Sequence, residues 1–240
     1  MPTPEQIDDR PRFDSRKLPT PSNEYICWLD VMGTQASLTQ SLHRSANFFA
    51  KIHLAALEAN SPDITLYPVM DGIYVSSKKK SAIMEFLRKF FRMHAIMFCA
   101  ERDPLHRFLV RGGLSFGPVV HGRDIATECA DFGEHTSYRN SLLLGMPMIQ
   151  SFQSEQTAPP FGVFVHESAR SFAESDAMPI PCRWYNWWNA EDMPLIAELR
   201  VALPSYFNWA LKHSRSIDYP NEKILEHAAA AKEYFDIPDE

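Results

Sequence analysis

The sequence predicts a mixed α/β fold, because short apolar segments of strand type alternate with longer segments of helical periodicity. Its 240 residues are 45% hydrophobic, which is enough for one substantial core. The predicted elements follow the order β-α-β-β-α-β, then an insertion, then α-β-α-β. The first six elements in this order predict a ferredoxin-like sheet with helices packed on one face.

The first half of that order begins with an apolar segment at 25–29, which predicts a strand that ends at Asp30. Apolar residues recur at helical spacing from 35 to 60, so a helix follows. Strands are then expected at 64–69 and 73–76. Between them stands Met70-Asp71-Gly72, and Asp-Gly favours a tight hairpin turn because both residues tolerate positive φ.

The second half begins with an amphipathic helix, expected from Lys78 to about Cys99. A long strand is predicted at 107–116 and should end at Gly117-Pro118. Residues 121–144 are expected to form a protruding β-like arm. The remaining predictions are a helix at 145–155, a strand at 161–165, a short helix at 166–175, an aromatic segment at 182–188 that closes the sheet, and two helices between 192 and 235.

Composition and charge limit the functions that the chain can have. The net charge of −6 argues against nucleic-acid binding, but a small triphosphate remains possible where metal ions supply positive charge. The four cysteines show no CxxC pair and no metal-ligand spacing. Neither a signal peptide nor a run of about 18 apolar residues is present, so we expect a cytoplasmic protein with reduced thiols and no membrane segment.

The candidate site is a pair of aspartates. In the predicted topology the first strand lies beside the hairpin, so Asp30 and Asp71 should meet at one edge of the sheet. Two carboxylates with an open side suit two Mg²⁺ or Mn²⁺ ions that also hold substrate phosphates, and the backbone carbonyl of Val31 is a candidate further ligand. Gly33 opens the loop before the first helix, where free N–H groups suit a triphosphate. The alternative is that Asp30 is a strand-end residue and Asp71 an ordinary turn residue.

Four segments resemble the class III adenylate and guanylate cyclases. Residues 25–33 resemble the opening strand of that family, and Met70-Asp71-Gly72 stands where the second metal-binding aspartate is found. Residues 110–117 resemble the strand that carries an arginine contacting the triphosphate, here Arg111. Residues 145–155 resemble the helix that follows the dimerisation arm. The resemblance implies two metal ions per site and a head-to-tail homodimer with its sites at the interface.

The chain departs from that family at four positions. Tyr67 replaces the lysine that selects the base, and Leu142 replaces the acidic partner of that lysine. Ile149 and Gln153 replace an asparagine and an arginine of the helix. The bacterial antiphage cyclases of the Pycsar type, which make cyclic UMP or cyclic CMP, show the same departures, and the chain resembles that branch. There Tyr67 would lie against the pyrimidine; the alternative is a tyrosine packed on the sheet.

The expected function is therefore conversion of UTP to cyclic UMP and pyrophosphate in antiphage defence, with a separate effector protein that reads the product. Asp30, Asp71 and Arg111 would be catalytic, and Gly33, Tyr67, Arg111 and Leu142 would contact substrate. The alternatives are a cytidylate cyclase, an adenylate or guanylate cyclase, and a cyclase-fold binding protein without catalysis. We expect a loose tail at 1–23, the catalytic domain at 24–188 and a helical extension at 189–240.

Overall fold

The computed structural model describes residues 15–33, 38–127 and 133–237, and within them seven strands form one sheet. The strands are β1 (Ser22–Val31), β2 (Thr65–Val69), β3 (Gly72–Ser77), β4 (Val110–His121), β5 (Leu143–Leu144), β6 (Val163–Val165) and β7 (Trp184–Tyr185). The α-helices are α1 (Leu42–Ala59), α2 (Lys80–Ala100), α3 (Gly122–Ala126), α4 (Thr136–Asn140), α5 (Met146–Glu155), α6 (Glu167–Ser171), α7 (Met193–His213) and α8 (Asn221–Phe235).

The sheet confirms the predicted ferredoxin-like order. Its strands lie in the sequence β2-β3-β1-β4-β6-β7, and β5 pairs with β4. Strand β1 is antiparallel to both of its neighbours, β3 and β4, while β4 and β6 are parallel. Helices α1 and α2 make the two crossovers of the βαββαβ unit, so the fold is a mixed α/β fold.

Alternation along β1 separates two faces of the sheet. Tyr25, Cys27, Leu29 and Val31 belong to the buried core that also contains the inner residues of α1 and α2. Because successive side chains of a strand point to opposite faces, Trp28 and its alternate neighbours lie on the other side. Helix α5 covers that side, where the ring of Phe152 lies 5.8 Å from that of Trp28. We call these the core face and the site face.

Strand β4 is longer than predicted. It continues through Gly117-Pro118 and ends at His121, so the expectation of a break at Gly117 is wrong. Beyond its pairing with β6 at Gly112–Leu114, β4 has no described partner on its second edge until Val120 pairs with Leu144. A strand that is unpaired on one side tolerates a proline, because the missing N–H costs no ladder bond there.

The arm at 121–144 is mostly not β structure, which corrects the sequence prediction. Among its described residues only β5 is a strand, and α3 and α4 are short helices. The backbone N–H of His121 donates to the carboxylate of Asp124 at 2.9 Å, and this contact stabilises the first turn of α3. Residues 128–132, which include Cys129, lie outside the described part of the chain.

The C-terminal helices pack against the aromatic segment that closes the sheet. Strand β7 pairs with β6 at the sheet edge, as predicted for residues 182–188. Trp187 is buried and its indole N–H donates to the carbonyl of Phe161 at 2.7 Å. The ring of Trp188 lies 5.0 Å from Tyr234 and 5.2 Å from Phe235 of α8. No described helix is long and apolar enough to cross a membrane.

Candidate active site

The sheet register brings the predicted charged residues to one end of the site face. Asp30 and Arg111 are direct partners across β1 and β4. Leu29 pairs with Ile73, so Asp71, two residues earlier in the hairpin turn, lies beside the end of β1. The negative charges of Glu155 and Asp71 and the positive charge of Arg111 all act on the carboxyl of Asp30. The structure therefore groups Asp30, Asp71 and Arg111, and adds Glu155.

Asp30 carries an unsatisfied polar atom. Its Oδ1 is buried and has no hydrogen-bond partner among the described residues. Burial, followed by the negative charges of Glu155 and Asp71, raises the pKa of Asp30 to about 7. A buried carboxylate oxygen without a partner is energetically costly, and a bound cation would satisfy it.

The donor set at this end of the sheet fits a hard divalent cation such as Mg²⁺ or Mn²⁺. Two carboxylates, from Asp30 and Asp71, converge there, and Mg²⁺ is usually held by one or two carboxylates together with water and substrate phosphates. No group of three or more His, Cys, Asp or Glu side chains in the described ranges is arranged to hold a metal ion. The predicted site thus relies on two carboxylates and on oxygen atoms from elsewhere, such as the carbonyl of Val31.

Arg111 is held by protein contacts. Its Nε donates to the carboxylate of Glu155, and the two side chains are only 15% and 5% exposed. Its Nη1 donates to the carbonyl of Gln156 at 3.3 Å and lies 3.5 Å from Nε2 of His227 in α8. Burial raises the pKa of Glu155, although the positive charge of Arg111 opposes the shift. A triphosphate would meet an arginine that is already oriented.

Glu155 was not identified from the sequence. It lies on the inner side of α5 with Pro147 and Ser151, four residues apart each time, and all three are buried. A glutamate on an otherwise small and apolar helix face needs a polar partner, and this spacing is the signal that could have pointed to it.

A glycine lets α5 approach the sheet closely enough for this contact. A Cβ built on Gly113 would lie 2.1 Å from the carbonyl oxygen of Ser151 and 2.6 Å from the backbone nitrogen of Glu155. No side chain can occupy this place, so the backbone of α5 rests directly on β4. Glu155 is thereby fixed beside Arg111.

Aromatic side chains border the aspartates. The Trp28 ring lies over Gly72, where a Cβ would be 2.3 Å from Cη2 of the indole. The Trp28 ring also packs against Tyr74 at 4.5 Å between ring centroids. The Trp28 ring thereby covers the hairpin next to Asp71, on the same face of β1 as Asp30.

Gly33 adopts a backbone conformation that favours glycine. Its φ is +79°, and a Cβ built on it would meet nothing within 4 Å. The residue is exposed at the end of β1, as the prediction of a phosphate loop requires. Residues 34–37, which would supply the rest of that loop, lie outside the described ranges.

Tyr67 is part of a buried polar network. Only 4% of it is exposed, and its hydroxyl is hydrogen-bonded to Nδ1 of His121. His121 Nε2 in turn lies 2.9 Å from Glu24 Oε1, and Ser22 and Ser76 donate to the same carboxylate. Burial alone would raise the pKa of Glu24, but the hydrogen bonds from His121, Ser22 and Ser76 lower it to about 2. A contact of Tyr67 with a base stays a prediction.

The other positions of the sequence prediction lie near this network or on the surface. Leu142 is half-buried, and its carbonyl accepts from the backbone N–H of Gly122, next to His121. Ile149 and Gln153 are exposed on the outer side of α5, away from Glu155. The structure therefore separates Leu142 from the aspartates, and its role in substrate binding also stays a prediction.

Comparison with known proteins gives distant structural similarity. Neither a protein-family profile nor a curated protein matches the chain. A bacterial light-regulated adenylyl cyclase is similar at a TM-score of 0.38 and 14% identity, over 42% of this chain and 57% of that one. The catalytic core of a rhodopsin-guanylyl cyclase with converted specificity, in complex with ATPαS, is similar at a TM-score of 0.45 and 12% identity. That similarity covers 64% of this chain and 82% of the other. The chain thus spans little more than half of the adenylyl cyclase structure, and similarity at this level assigns no activity.

Proposed function

We propose that the chain is a nucleotidyl cyclase that converts a pyrimidine nucleoside triphosphate, preferably UTP, to its 3′,5′-cyclic monophosphate and pyrophosphate. The observation that carries the proposal is the buried, unpartnered Oδ1 of Asp30, next to Asp71 and opposite Arg111. An arginine beside two carboxylates with an unfilled coordination position suits a metal–triphosphate complex.

Asp30 and Asp71 would hold two Mg²⁺ or Mn²⁺ ions, with the backbone carbonyl of Val31 as a further ligand. When bound, these ions supply positive charge to the triphosphate and lower the pKa of the ribose 3′-hydroxyl. The carboxylates would hold the metal-bound triphosphate at this end of the sheet. The Trp28 ring over Gly72, next to Asp71, would limit the access of bulk water on that side.

The other residues of the site orient the reacting groups. The ribose 3′-oxygen loses its proton to water and forms a bond to the α-phosphorus, while the bond from that phosphorus to the pyrophosphate oxygen breaks. Arg111, held by Glu155, would keep the leaving pyrophosphate in line with the attacking oxygen. The exposed backbone at Gly33 would donate N–H groups to the same phosphates.

The choice of a pyrimidine rests on the residues that replace the purine-reading pair of the cyclases that the sequence resembles. Leu142 offers no side-chain hydrogen bond, and the hydroxyl of Tyr67 has His121 as a partner. A lysine and an acid suit adenine, and neither is present at these positions. UTP and CTP differ only at position 4, so a cytidylate cyclase is the first alternative. A role in antiphage defence, with a separate effector, is supported only by the resemblance to Pycsar cyclases.

An apolar stripe on α5 supports a homodimer with sites at its interface. Met146, Ile149 and Phe152, three residues apart each time, are 59%, 51% and 46% exposed. Exposed apolar side chains grouped in this way are typical of a protein–protein contact. An Ile149→Asp variant should sediment as a monomer and lose activity; if it stayed dimeric, the interface would lie elsewhere.

A second function is favoured by specific residues. Ile149 and Gln153 replace the helix asparagine and arginine of active relatives, and Arg111 is engaged by Glu155. These features suit a cyclase-fold protein that binds a nucleoside triphosphate without turning it over. The retained aspartate pair and the unpartnered Oδ1 of Asp30 favour the enzyme, because a protein that has lost catalysis has no need to keep metal ligands.

The test is incubation of the chain with each of the four nucleoside triphosphates and Mn²⁺, with products separated by chromatography. Cyclic UMP as the main product supports the proposal. Cyclic CMP, AMP or GMP as the main product would contradict UTP as the preferred substrate and identify the base that the site selects. Asp30→Asn should lower the rate at least about a hundredfold, whereas Asp63→Asn, at an exposed ion pair with Lys79, should not change it.

A binding readout separates the two functions. Mn²⁺ with UTP should raise the melting temperature of the native chain and leave that of Asp30→Asn unchanged. Stabilisation without any cyclic product would favour the binding protein. If the native chain showed no stabilisation and formed no cyclic product, both functions would be refuted.

A further inference from the structure

A second cavity lies next to the proposed active site, because its lining residue His227 is 3.5 Å from Nη1 of Arg111. It has a volume of about 260 Å³ and lies between the end of β1, the start of α1, the segment 104–109 and the two C-terminal helices. Met32 and Gly33 form part of its wall, but Asp30, Asp71 and Arg111 do not. The cavity thus shares Gly33 with the proposed phosphate loop, but none of the residues assigned to catalysis lines it.

The apolar part of the wall is aromatic. Phe48 and Phe108 form one pair, with ring centroids 4.8 Å apart, and Tyr206 and Trp209 form another at 6.0 Å. Tyr219 from the α7–α8 connection also lines the cavity. Aromatic walls of this kind favour a flat ring as ligand, because stacked and edge-to-face contacts add to the burial of apolar area.

The polar part of the wall is mainly cationic. Arg44, Arg107 and Lys223 line the cavity, against the single carboxylate of Asp218 among the described lining residues. Burial, and then the nearby charge of Arg111, lowers the pKa of His227 to about 4, so this lining imidazole is neutral at pH 7. Lys223 is ion-paired with Glu226 at 2.7 Å, which leaves Arg44 and Arg107 as the other cations of the wall.

Arg107 is the cation that most favours an anionic ligand. Its Nε donates to the carbonyl of Glu101 at 2.9 Å, and its guanidinium lies 5.2 Å from the ring centroid of Phe98. Among the described residues no carboxylate forms an ion pair with it. An arginine in an aromatic wall without an ion-pair partner can bind a carboxylate or phosphate in bidentate fashion.

We propose that this cavity binds a small single-ring aromatic anion, whose ring lies among Phe48, Tyr206 and Trp209 and whose carboxylate or phosphate meets Arg107. The volume lies below the roughly 300–1,000 Å³ of sites that hold drug-sized ligands, so the ligand is small. The position of the cavity between the βαββαβ unit and the C-terminal helices gives those helices a binding role.

The experiment is isothermal titration of the full chain with benzoate and phenyl phosphate, which separate a carboxylate from a phosphate ligand. Benzyl alcohol and inorganic phosphate, which provide the ring or the anion alone, serve as controls. At least one aromatic anion should bind one per chain, and both controls should bind at least about tenfold more weakly. Equal affinity for inorganic phosphate, or no binding by either aromatic anion, would overturn the proposal.

Variants locate the binding. Arg107→Gln should weaken it at least about tenfold, while Arg183→Gln, whose guanidinium lies over Phe164 and Trp184 outside the cavity, should not. If circular dichroism shows that Arg107→Gln does not fold, Lys223→Gln takes its place with a smaller loss, because Lys223 is exposed and also pairs with Glu226. An unchanged affinity in the folded variant places the ligand elsewhere and refutes the site.

The result is independent of the cyclase proposal. Asp30→Asn should bind the same anion with the same affinity, whether or not the native chain has cyclase activity. UTP with Ca²⁺ should not displace the anion; displacement would show that the cavity belongs to the substrate site and would refute a separate one.

Discussion

The two faces of the central sheet have different roles, although the same strands form both. On the core face, β1 contributes Tyr25, Cys27, Leu29 and Val31 to a core covered by the long helices α1 and α2. On the site face, Trp28 and Asp30 of the same strand lie under the single ten-residue helix α5. The difference shows that alternation lets one strand supply stability from one side and charge from the other.

Each face contains a polar side chain whose pKa is shifted mainly by burial. On the site face the pKa of Asp30 rises to about 7, and on the core face burial lowers the pKa of His94 to about 3. The directions are opposite because burial disfavours the charged form, which is the carboxylate in one case and the imidazolium in the other. Both ring nitrogens of His94 lack partners among the described residues.

The largest effect is expected where α5 rests on the sheet. Gly113→Ala should lower the free energy of unfolding by about 3 kcal/mol or more, because the new Cβ meets the backbone of α5 at both Ser151 and Glu155. Urea denaturation measures the change. Gly133→Ala is the matched control, since its Cβ would meet nothing within 4 Å. Equal midpoints for both variants would contradict the close contact.

The next effect concerns the buried ion pair on the site face. Glu155→Gln should cost about 3 kcal/mol, because it leaves the charge of the largely buried Arg111 without a carboxylate. Glu191→Gln removes the exposed partner of Arg88 and should cost less than about 1 kcal/mol. If the two losses measured by urea denaturation were similar, Arg111 would be solvated rather than held by Glu155.

The third effect is a loss of stability in acid, caused by the buried His94 of the core face. The pKa of His94 is depressed in the folded state, so the unfolded chain takes up the proton first, and stability is lost as the pH falls below about 6.5. This residue should account for about 2 kcal/mol of the stability lost between pH 7.5 and 5. His94→Leu should remove that part of the slope in urea denaturation at each pH. An unchanged slope would show that the imidazole is accessible to solvent.

The smallest effect tests the polar network of the site face. Tyr67→Phe removes the hydroxyl that bonds to His121 and should cost about 1 kcal/mol. Tyr74→Phe loses only a long 3.4 Å contact with the carbonyl of Met148 and should cost less. Thermal unfolding of both variants provides the measurement. The reverse order would mean that the network is weaker than the Tyr74 contact.

Much of the fold followed from residue patterns. The 3.6-residue and 2-residue periods located both crossover helices and the first four strands, and the Asp-Gly turn located the hairpin. The extension of β4 past Gly117-Pro118 was missed, because a proline is tolerated only where a strand edge has no partner, and pairing is a property of the folded sheet. The helical arm was missed because short helices such as α3 have too few residues for a period.

The residues of the candidate site also separate into those that the sequence predicted and those that it did not. Asp30, Asp71 and Arg111 could be predicted because each follows from a position on a strand or in a turn, and the order of strands brings them together. Glu155 could not, because its place beside Arg111 depends on the approach of α5 over Gly113. The burial of Tyr67 against His121 depends on contacts between residues 54 positions apart in the chain.

The sequence by itself determined the alternation of β1 and the turn residues, and these place an aspartate pair at one end of a ferredoxin-like sheet. Only the tertiary structure decided that Oδ1 of Asp30 is buried without a hydrogen-bond partner, that Arg111 is held by Glu155, and that the C-terminal helices line a second cavity with cationic side chains. The reason is physical. Local periodicity fixes the face on which a side chain lies, whereas burial, ionisation and counter-ions depend on neighbours that packing brings from distant parts of the chain.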